Sequence, residues 1–593
     1  MIFNAARSVC LSVKGIVEER PFEMKNRYLI LFAILISPLS GFGQYTVYKL
    51  ENKIGTERAL IGNNANQLIT ITANDRGANT VLTTSFLQAG NKIIYTSKGN
   101  TSRFTTESID TTFNADSSFP LGVNGSIKLH ELLVSAWIAA GRPSYITSAI
   151  TKSKVAIKAL GKLPDEVKRG NLTALAVNNG LDEILWINEN NEAVFLTGCD
   201  AESDKREVID DRYVALFNML SKQSNQYLLQ LYLDKNKGLG QYFDVIAITG
   251  ANIIDLNDSG KVKPNSMLLL KDGKIAYVGA LNKELIPAGA HVIDATDKFL
   301  LPGLWNMHAH LFHPEYLKRE LLSGVTTVRD MGNEFNLIVG LKKIGDSASS
   351  PSPHILAAGL LDGDSPNALG AMRAGNENEI KANIKKYHDA GFNQIKIYSY
   401  IKKGDFNTIV KAAGAYNMDV VGHLPNGYTI GYFIDNGMNS ISHIHYFMNN
   451  MKFTGGDLAS ANKALIDKLL EKKIYLDPTL NVYALTGDKK IDYYRRFVKL
   501  FFDSGIPIVA GTDNEGTVAD EIQNYVKAGL SPLDAIRSAT IVPATVMKMN
   551  NQSGSIEQGK NADILMLNSN PLLDIKALDS IDTVIKGQLL LKL

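Results

Sequence analysis

Apolar and polar residues alternate with period two through Gln67–Ala73, Thr80–Leu87 and Asn91–Ser97, each stretch bounded by Asn, Gly or Asp clusters. That alternation predicts half-buried β-strands. Helical spacing of apolar residues appears at Glu131–Gly141 and again through Arg212–Leu233. Between them, EILWINENNEAVFLTG (Glu183–Gly198) reads as a hairpin about Asn188–Asn191. A small β unit follows over Asp244–Ala280, with a turn at Asp272-Gly273, and β-like pieces return at Gly554–Asn568 and Asp582–Leu590. These pieces flank a long α/β segment and are expected to pair as one sheet unit.

The intervening segment, about Leu304–Asn550, repeats strand then helix. Its candidate strands end near His308–His310, Val328, Ala357, Tyr398, His423, His443, Asp477 and Asp513. Eight such units in this length fit a (β/α)8 barrel. A doubly wound sheet would need a glycine-rich phosphate turn, and none is found. The fold class predicted is therefore α/β: a TIM barrel, a small β-sandwich built from the flanking segments, and an N-terminal β-rich accessory domain. The boundaries that follow are 1–43 for a leader, 44–240 for the accessory domain, 241–303 with 551–593 for the composite β-sandwich, and 304–550 for the barrel.

Composition narrows the setting. The chain has 593 residues, 45% of them hydrophobic, which is globular and excludes a collagen-like or wholly disordered protein. No apolar run reaches the ~18 residues of a membrane span. From Met24, MKNRYLILFAILISPLSGFGQ combines Lys25 and Arg27, an apolar stretch and small residues Gly41 and Gly43. This is the pattern of a secretory signal peptide, so the product is expected to be exported, periplasmic or secreted, and to begin near Gln44. Removing 1–43 leaves 57 basic and 57 acidic residues, a balance that implies no nucleic-acid partner. It also leaves Cys199 as the one thiol, so no internal disulfide is available.

Candidate chemistry gathers at the predicted strand ends. WNMHAHLFH holds His308 and His310, whose spacing puts both imidazoles on one side of a strand, within reach of one metal. His313 lies past the strand and reads as a loop residue. Lys396 stands in the apolar run GFNQIKIY, where an ammonium needs neutralising or a depressed pKa. Carboxylated by carbon dioxide, it would become an anionic ligand able to bridge two cations; an ordinary lysine at a frayed strand end is the alternative. Tyr398, two residues on, shares its face and is a candidate substrate contact. His423, His443 with His445, and Asp513 close the later strands. An Asp ending an apolar strand is costly unless it binds metal or accepts hydrogen bonds. Arg329 could clamp a substrate carboxylate or pair with Asp330 or another acid. No chemical motif stands out before Gly240.

The segments LPGLWNMHAHL, GVTTVRDMG, GFNQIKIY, VVGHLP, SISHIH, DPTL, AGTDN, AGLSPLDAIRSAT and GSIEQGKNADILMLNSNPLLDI resemble the amidohydrolase superfamily, in its prolidase-like and imidazolonepropionase-like branch. The resemblance covers about Asp244–Leu593. It implies that His308, His310 and Asp513 hold one zinc ion and His423 and His443 a second, with the Lys396 carbamate bridging them. Two departures stand out: Asn306 where the family usually has Asp, and Ser442 where it often has Glu.

Two divalent metal ions, most simply zinc, would acidify a bridging water and polarise a carbonyl. Asp513 would carry the proton from the metal-bridging hydroxide's parent water to a leaving nitrogen. The function expected is hydrolysis of an amide-type C–N bond in a small-molecule substrate: a short peptide, an N-acyl amino acid or a cyclic amide. Substrate choice would fall to Tyr398, Arg329 and the Asp362–Pro366 loop. A lactonase or esterase on the same metals stays open, as does assembly into a homo-oligomer. A mononuclear deaminase would not need Lys396, and a non-catalytic binding protein would be expected to lose a ligand.

Overall fold

The structure is a computed structural model. It describes residues 42–593 except 62–65, 90–91, 115–117, 120–124, 164–170, 348–349 and 453–457. The predicted leader, but for its last two residues, lies outside the described residues.

Seven parallel strands succeed one another both along the chain and in space: Leu304–Ala309, Val325–Asp330, His354–Gly363, Gln394–Ile397, Asp419–Gly422, Ser440–Ser442 and Tyr475–Asp477. Residues 506–512 close the ring without forming a regular strand. On one side Leu476 donates to the Pro507 carbonyl (3.0 Å) and Val509 to that of Leu476 (2.9 Å); on the other Met307 donates to Ala510 (2.8 Å) and Thr512 to His308 (3.1 Å). A TIM-barrel-like domain results. Its strands are apolar on both faces because the outer face meets helices and the inner face meets other strands. The helices show the matching one-sided pattern. In Ile491–Asp503, for example, Tyr494, Phe497, Val498 and Phe501 are the buried residues, spaced by three and four.

The third strand differs from expectation. It runs on past Ala357 to Gly363, its first half paired with the second strand (Asp330 opposite Ala357) and its second half with the fourth (Ala358 opposite Gln394). The extension carries Asp362, whose carboxylate accepts from the backbone of Gly363 (2.8 Å), Tyr400 (2.7 Å) and Leu369 (2.9 Å) and so ties together the loop that follows.

The segments on either side of the barrel form one nine-stranded sheet. Its two halves meet where Phe299–Pro302 pairs antiparallel with Asp563–Leu567, Leu301 opposite Leu565. A second, thirteen-stranded, largely antiparallel sheet holds the N-terminal β-rich region. Strands Phe42–Lys49 and Lys205–Asp210 join its two halves. The hairpin about 188–192 is present, linking Leu181–Ile187 to Ala193–Cys199, and the two helices run Ile127–Ala139 and Phe217–Asn236.

The N-terminal region is fastened to the barrel by buried polar contacts. Lys205 pairs with Glu207 (2.8 Å) and with Glu334, which also accepts from Asn225 (2.8 Å). His313, read as a loop residue, is buried in this interface and donates to the Asp182 carbonyl (3.0 Å). Further round, Arg373 donates to Asn52 (2.8 Å), which in turn donates to the Ala368 carbonyl (3.0 Å). Among the described residues, no helix is long and apolar enough to cross a membrane.

Candidate active site

The polar residues at the C-terminal ends of the barrel strands converge. His308, His310 and Asp513 each offer a ligand atom within 4.8 Å of the others. Asp513 Oδ1 lies 3.2 Å from His310 Nε2 and 3.6 Å from His308 Nε2, and Asp513 Oδ2 is 3.8 Å from His443 Nδ1. His423 Nε2 and His443 Nε2 face each other at 2.9 Å. The rings are continuous: His308 is 4.8 Å from His443, which is 4.8 Å from His423, centroid to centroid. Lys396 projects from the fourth strand, fully buried, with Nζ 3.5 Å from Ser442 Oγ. The six predicted ligands therefore share one site.

Backbone geometry contributes to this convergence. His443 (φ 66°), Thr479 (φ 51°), Asp513 (φ 51°) and Asn514 (φ 62°) all occupy the left-handed region. Non-glycine residues adopt it at a cost, and such strain gathers where side chains must be aimed.

The electrostatics suit cation binding. Burial, then the Lys396 charge, holds His308 and His423 well below the ordinary imidazole range; burial does the same for His443. All three are thus neutral, the form that binds metal. His310 donates Nδ1–H to the Gly332 carbonyl (2.8 Å), which fixes its tautomer and frees Nε2. Burial would raise the Asp513 carboxyl, but the neighbouring histidines outweigh it and hold the group well below the usual carboxylate range. Burial lowers the Lys396 amine to about 8, against the pull of Asp477 and Asp513.

A metal fits these residues on independent grounds. Among the described residues, both ring nitrogens of His308 and Nδ1 of His423 are buried without a hydrogen-bond partner, the carboxylates of Asp477 (3.3 Å) and Asp513 (3.6 Å) lying near the His308 ring without forming one. Buried polar atoms are seldom left so, and an ion is one of the few explanations. The facing Nε2 atoms of His423 and His443 are likewise a ready pair of donors.

The two departures have structural accounts. Asn306 is a strut: its amide donates to Glu320 (3.2 Å) and Thr512 (3.0 Å), and its carbonyl accepts from the backbone of His308 and Thr512 (3.2 Å each). It locks the first strand to the closing segment. Ser442 donates to Asp477 Oδ2 (3.2 Å) beneath Lys396.

Arg329 requires correction. It is fully buried below the site, and its guanidinium is occupied by the Met307 carbonyl (2.6 Å), Gln394 (3.3 Å), Tyr475 (2.8 Å) and Asp477 (2.5 Å). It cannot clamp a substrate, and its acid is Asp477 rather than Asp330. Asp330 instead accepts from Leu311, Gly332 and Asn333. Asp477 itself was missed as a site residue. Besides Arg329 it reaches His308 Nδ1 (3.3 Å), and its signal was an acid closing an apolar strand in DPTL.

Tyr398 lies beside the site, its ring 3.9 Å from that of His423. His445 stands aside, with Nδ1 2.7 Å from the Tyr483 hydroxyl. Beyond the barrel, the N-terminal sheet adds a charged cluster that carried no sequence signal: Asp75, Glu202 and Asp204 lie together, interleaved with Lys49, Arg76 and Arg103.

Comparison with known proteins bears on the barrel segment. Residues 299–590 match the model of the amidohydrolase family. The chain is similar to an adenine deaminase of Clostridium perfringens, 22% identical over 324 residues, covering 51% of this chain and 52% of that protein. It is also similar to an ochratoxinase of Aspergillus niger, 23% identical over 390 residues, covering 54% and 80% respectively. Among solved structures, a Bifidobacterium longum protein described as a prolidase has a TM-score of 0.50 at 25% identity, covering 59% of this chain and 95% of that one. The chain spans about half the length of the deaminase. The residues before 240 include the thirteen-stranded sheet and fall outside the family match.

Proposed function

The barrel segment, residues 299–590, belongs to the amidohydrolase family, and from that premise we propose that this chain is a metal-dependent hydrolase of amide-type C–N bonds. The observation that carries the reading is the convergence of four imidazoles, Asp513 and a buried Lys396 at the C-terminal ends of the barrel strands. His308, His310 and Asp513 would hold one divalent ion, His423 and His443 another, and Lys396 as its carbamate would bridge them. Nitrogen-rich ligation favours zinc. When bound, such ions supply Lewis-acid polarisation of a carbonyl and an acidified water.

The chain's own groups do the rest. Asp513 is ionised and positioned beside His308 and His310, where it can take a proton from the attacking water. The water oxygen bonds to the carbonyl carbon, the C–N bond breaks, and the proton passes from Asp513 to the departing nitrogen. The His310–Gly332 hydrogen bond keeps one imidazole in the ligating tautomer throughout. A lysine amine lowered to about 8 is partly neutral near pH 7, the form that adds to carbon dioxide. That feature favours the two-metal reading over a mononuclear deaminase.

Metal analysis of the full chain, combined with a panel of dipeptides, N-acyl amino acids, cyclic amides and lactones, tests the proposal. Release of an amine or amino acid by protein holding two ions per chain supports it. Turnover of lactones alone would replace it with an esterase. Export is proposed on the Met24–Gly43 pattern; intact Met1 or Met24 on protein recovered from the cytoplasm would overturn that part.

A further inference from the structure

The N-terminal sheet touches the barrel two residues away from a backbone group that orients a site histidine. His310 donates from Nδ1 to the Gly332 carbonyl, in the turn that follows the second barrel strand. Gly332 has φ 133°, in the region that favours glycine, and a Cβ there would come 3.3 Å from Leu360 Cδ1. With no side chain of its own, this residue is held by its neighbours. On one flank Asp330 accepts from the amides of Gly332 (3.0 Å) and Leu311 (2.8 Å) and from Asn333 Nδ2 (2.9 Å). On the other stands Glu334, whose amide donates to Asn333 Oδ1 (2.8 Å).

Glu334 is engaged at both oxygens. Its Oε1 accepts from the Asn336 amide (3.2 Å) and caps the helix Phe335–Gly345. Its Oε2 instead accepts from Lys205 Nζ and Asn225 Nδ2 (2.8 Å), both of the N-terminal region. Lys205 opens the strand Lys205–Asp210, which joins the halves of the sheet, and it is fixed in turn by Glu207 (2.8 Å) and Ser221 (3.4 Å). The side chains of Lys205, Glu207 and Glu334 are fully buried. Fastening alone does not call for such a group, because buried ion pairs add little net stability and apolar side chains of like volume often do as well. What the ion pair supplies is direction, a single place for the carboxylate.

We propose that Lys205 is a positioning residue for His310 as a metal ligand, acting through Glu334 and the turn Asp330–Glu334. Lys205 fixes Glu334, Glu334 fixes its end of the turn, and the turn presents the Gly332 carbonyl 2.8 Å from His310 Nδ1. A carbonyl at that place keeps the proton on Nδ1 and leaves Nε2 to ligate. The N-terminal region then contributes to the metal centre although it lies outside the family match. The effect falls on the ion assigned to His308, His310 and Asp513, since His423 and His443 stand at the ends of the fifth and sixth strands. The inference rests on the two-ion hydrolase reading.

The test is the zinc affinity of the full-length protein, read by competition with a chromophoric chelator that resolves the two ions. Lys205→Met and Glu334→Gln should each weaken one ion about 10-fold, the lower end of the effect of losing an outer partner of a ligating histidine, and hold the other nearly unchanged. In the His443→Asn background, which keeps only the ion of His308, His310 and Asp513, the same loss should persist. Lys205→Met combined with Glu334→Gln should be no weaker than the worse single variant, because both substitutions cut one link. Equal loosening of both ions, as a general softening of the fold would give, additive losses, or unchanged affinities would each overturn the proposal. Thermal midpoints identify a variant that has merely unfolded. Glu334→Gln keeps the cap and leaves Lys205 balanced by Glu207, so it carries the test if Lys205→Met does not fold. A wild-type protein that binds no zinc would overturn the two-ion reading instead, and this inference with it.

Discussion

His423 Nε2 and His443 Nε2 face each other at 2.9 Å, with the His443 Nδ1 end of the second ring 2.9 Å from Thr479 Oγ1. As neutral rings the two share one N–H···N hydrogen bond, and with that proton displaced both nitrogens can turn to a divalent cation beside them. Protein purified without chelator should hold about two divalent ions per chain, and His443→Asn should lose one of them while His308, His310 and Asp513 keep the other. Elemental analysis of both proteins measures this. One tightly held ion in a fully active wild type would move the site to the mononuclear class.

Asp513 is asked both to ligate and to carry a proton. Asp513→Asn preserves shape and one carbonyl oxygen but removes the base. General acid–base catalysis typically contributes ~10²–10⁴-fold, so kcat should fall at least that far. Affinity for a non-hydrolysed substrate analogue, measured by calorimetry, should change much less. Near-full turnover with both ions present would mean that another group carries the proton. Asp362 is poorly placed to do so, because its oxygens are already engaged by three backbone amides.

The ligand set was legible in the sequence because strand geometry imposes its own spacing. Residues two apart on a strand share a face, which makes His308-x-His310 readable, and a charged residue closing an apolar run is conspicuous at Lys396 and Asp513. Partners distant along the chain were not legible. Arg329 has Asp330 beside it, yet bonds Asp477, 148 positions away. Which acid meets which arginine is decided by barrel closure, and closure rests on residues 506–512, whose hydrogen bonds are too irregular to form a regular strand. The cluster of Arg76 with Asp75, Glu202 and Asp204 was hidden more thoroughly, because a charged residue at a hairpin tip in a polar, Thr-rich β region is ordinary background, and only the folding of the sheet brings Glu202 and Asp204 to it.

A pH-dependent contribution to stability resides in the N-terminal region. His130 is buried, with Nδ1 2.7 Å from the Ser126 carbonyl and Nε2 2.8 Å from Glu183 Oε2. Burial alone would lower its pKa, but Glu183 and these hydrogen bonds raise it above the ordinary value of 6.5. The protonated ring is therefore favoured more in the folded than in the unfolded chain. The stabilisation is full below about pH 6.5, the unfolded value, and is lost as pH rises through the higher folded value. His130→Gln should accordingly lower the thermal midpoint most in acid, the gap from wild type narrowing towards alkaline pH. A gap that widened with pH would contradict the charged pair.

Arg329 separates a strut from a clamp. Both Arg329 and Asp477 are fully buried, and removing one partner of such a pair typically costs about 3–5 kcal/mol because the other charge is left uncompensated. Arg329→Met should therefore lower stability strongly. It should also reduce metal occupancy, since Asp477 stands 3.3 Å from His308 Nδ1 and 3.2 Å from Ser442 Oγ and would shift towards both. Adding Asp477→Asn removes the stranded charge and should restore part of the stability, which denaturant titration of the single and double variants would register. A clamp predicts something different: KM would rise for substrates bearing a carboxylate and stay constant for amides without one. The buried guanidinium requires the two substrate classes to be affected alike, and a selective loss for carboxylates would return Arg329 to the substrate side of the site.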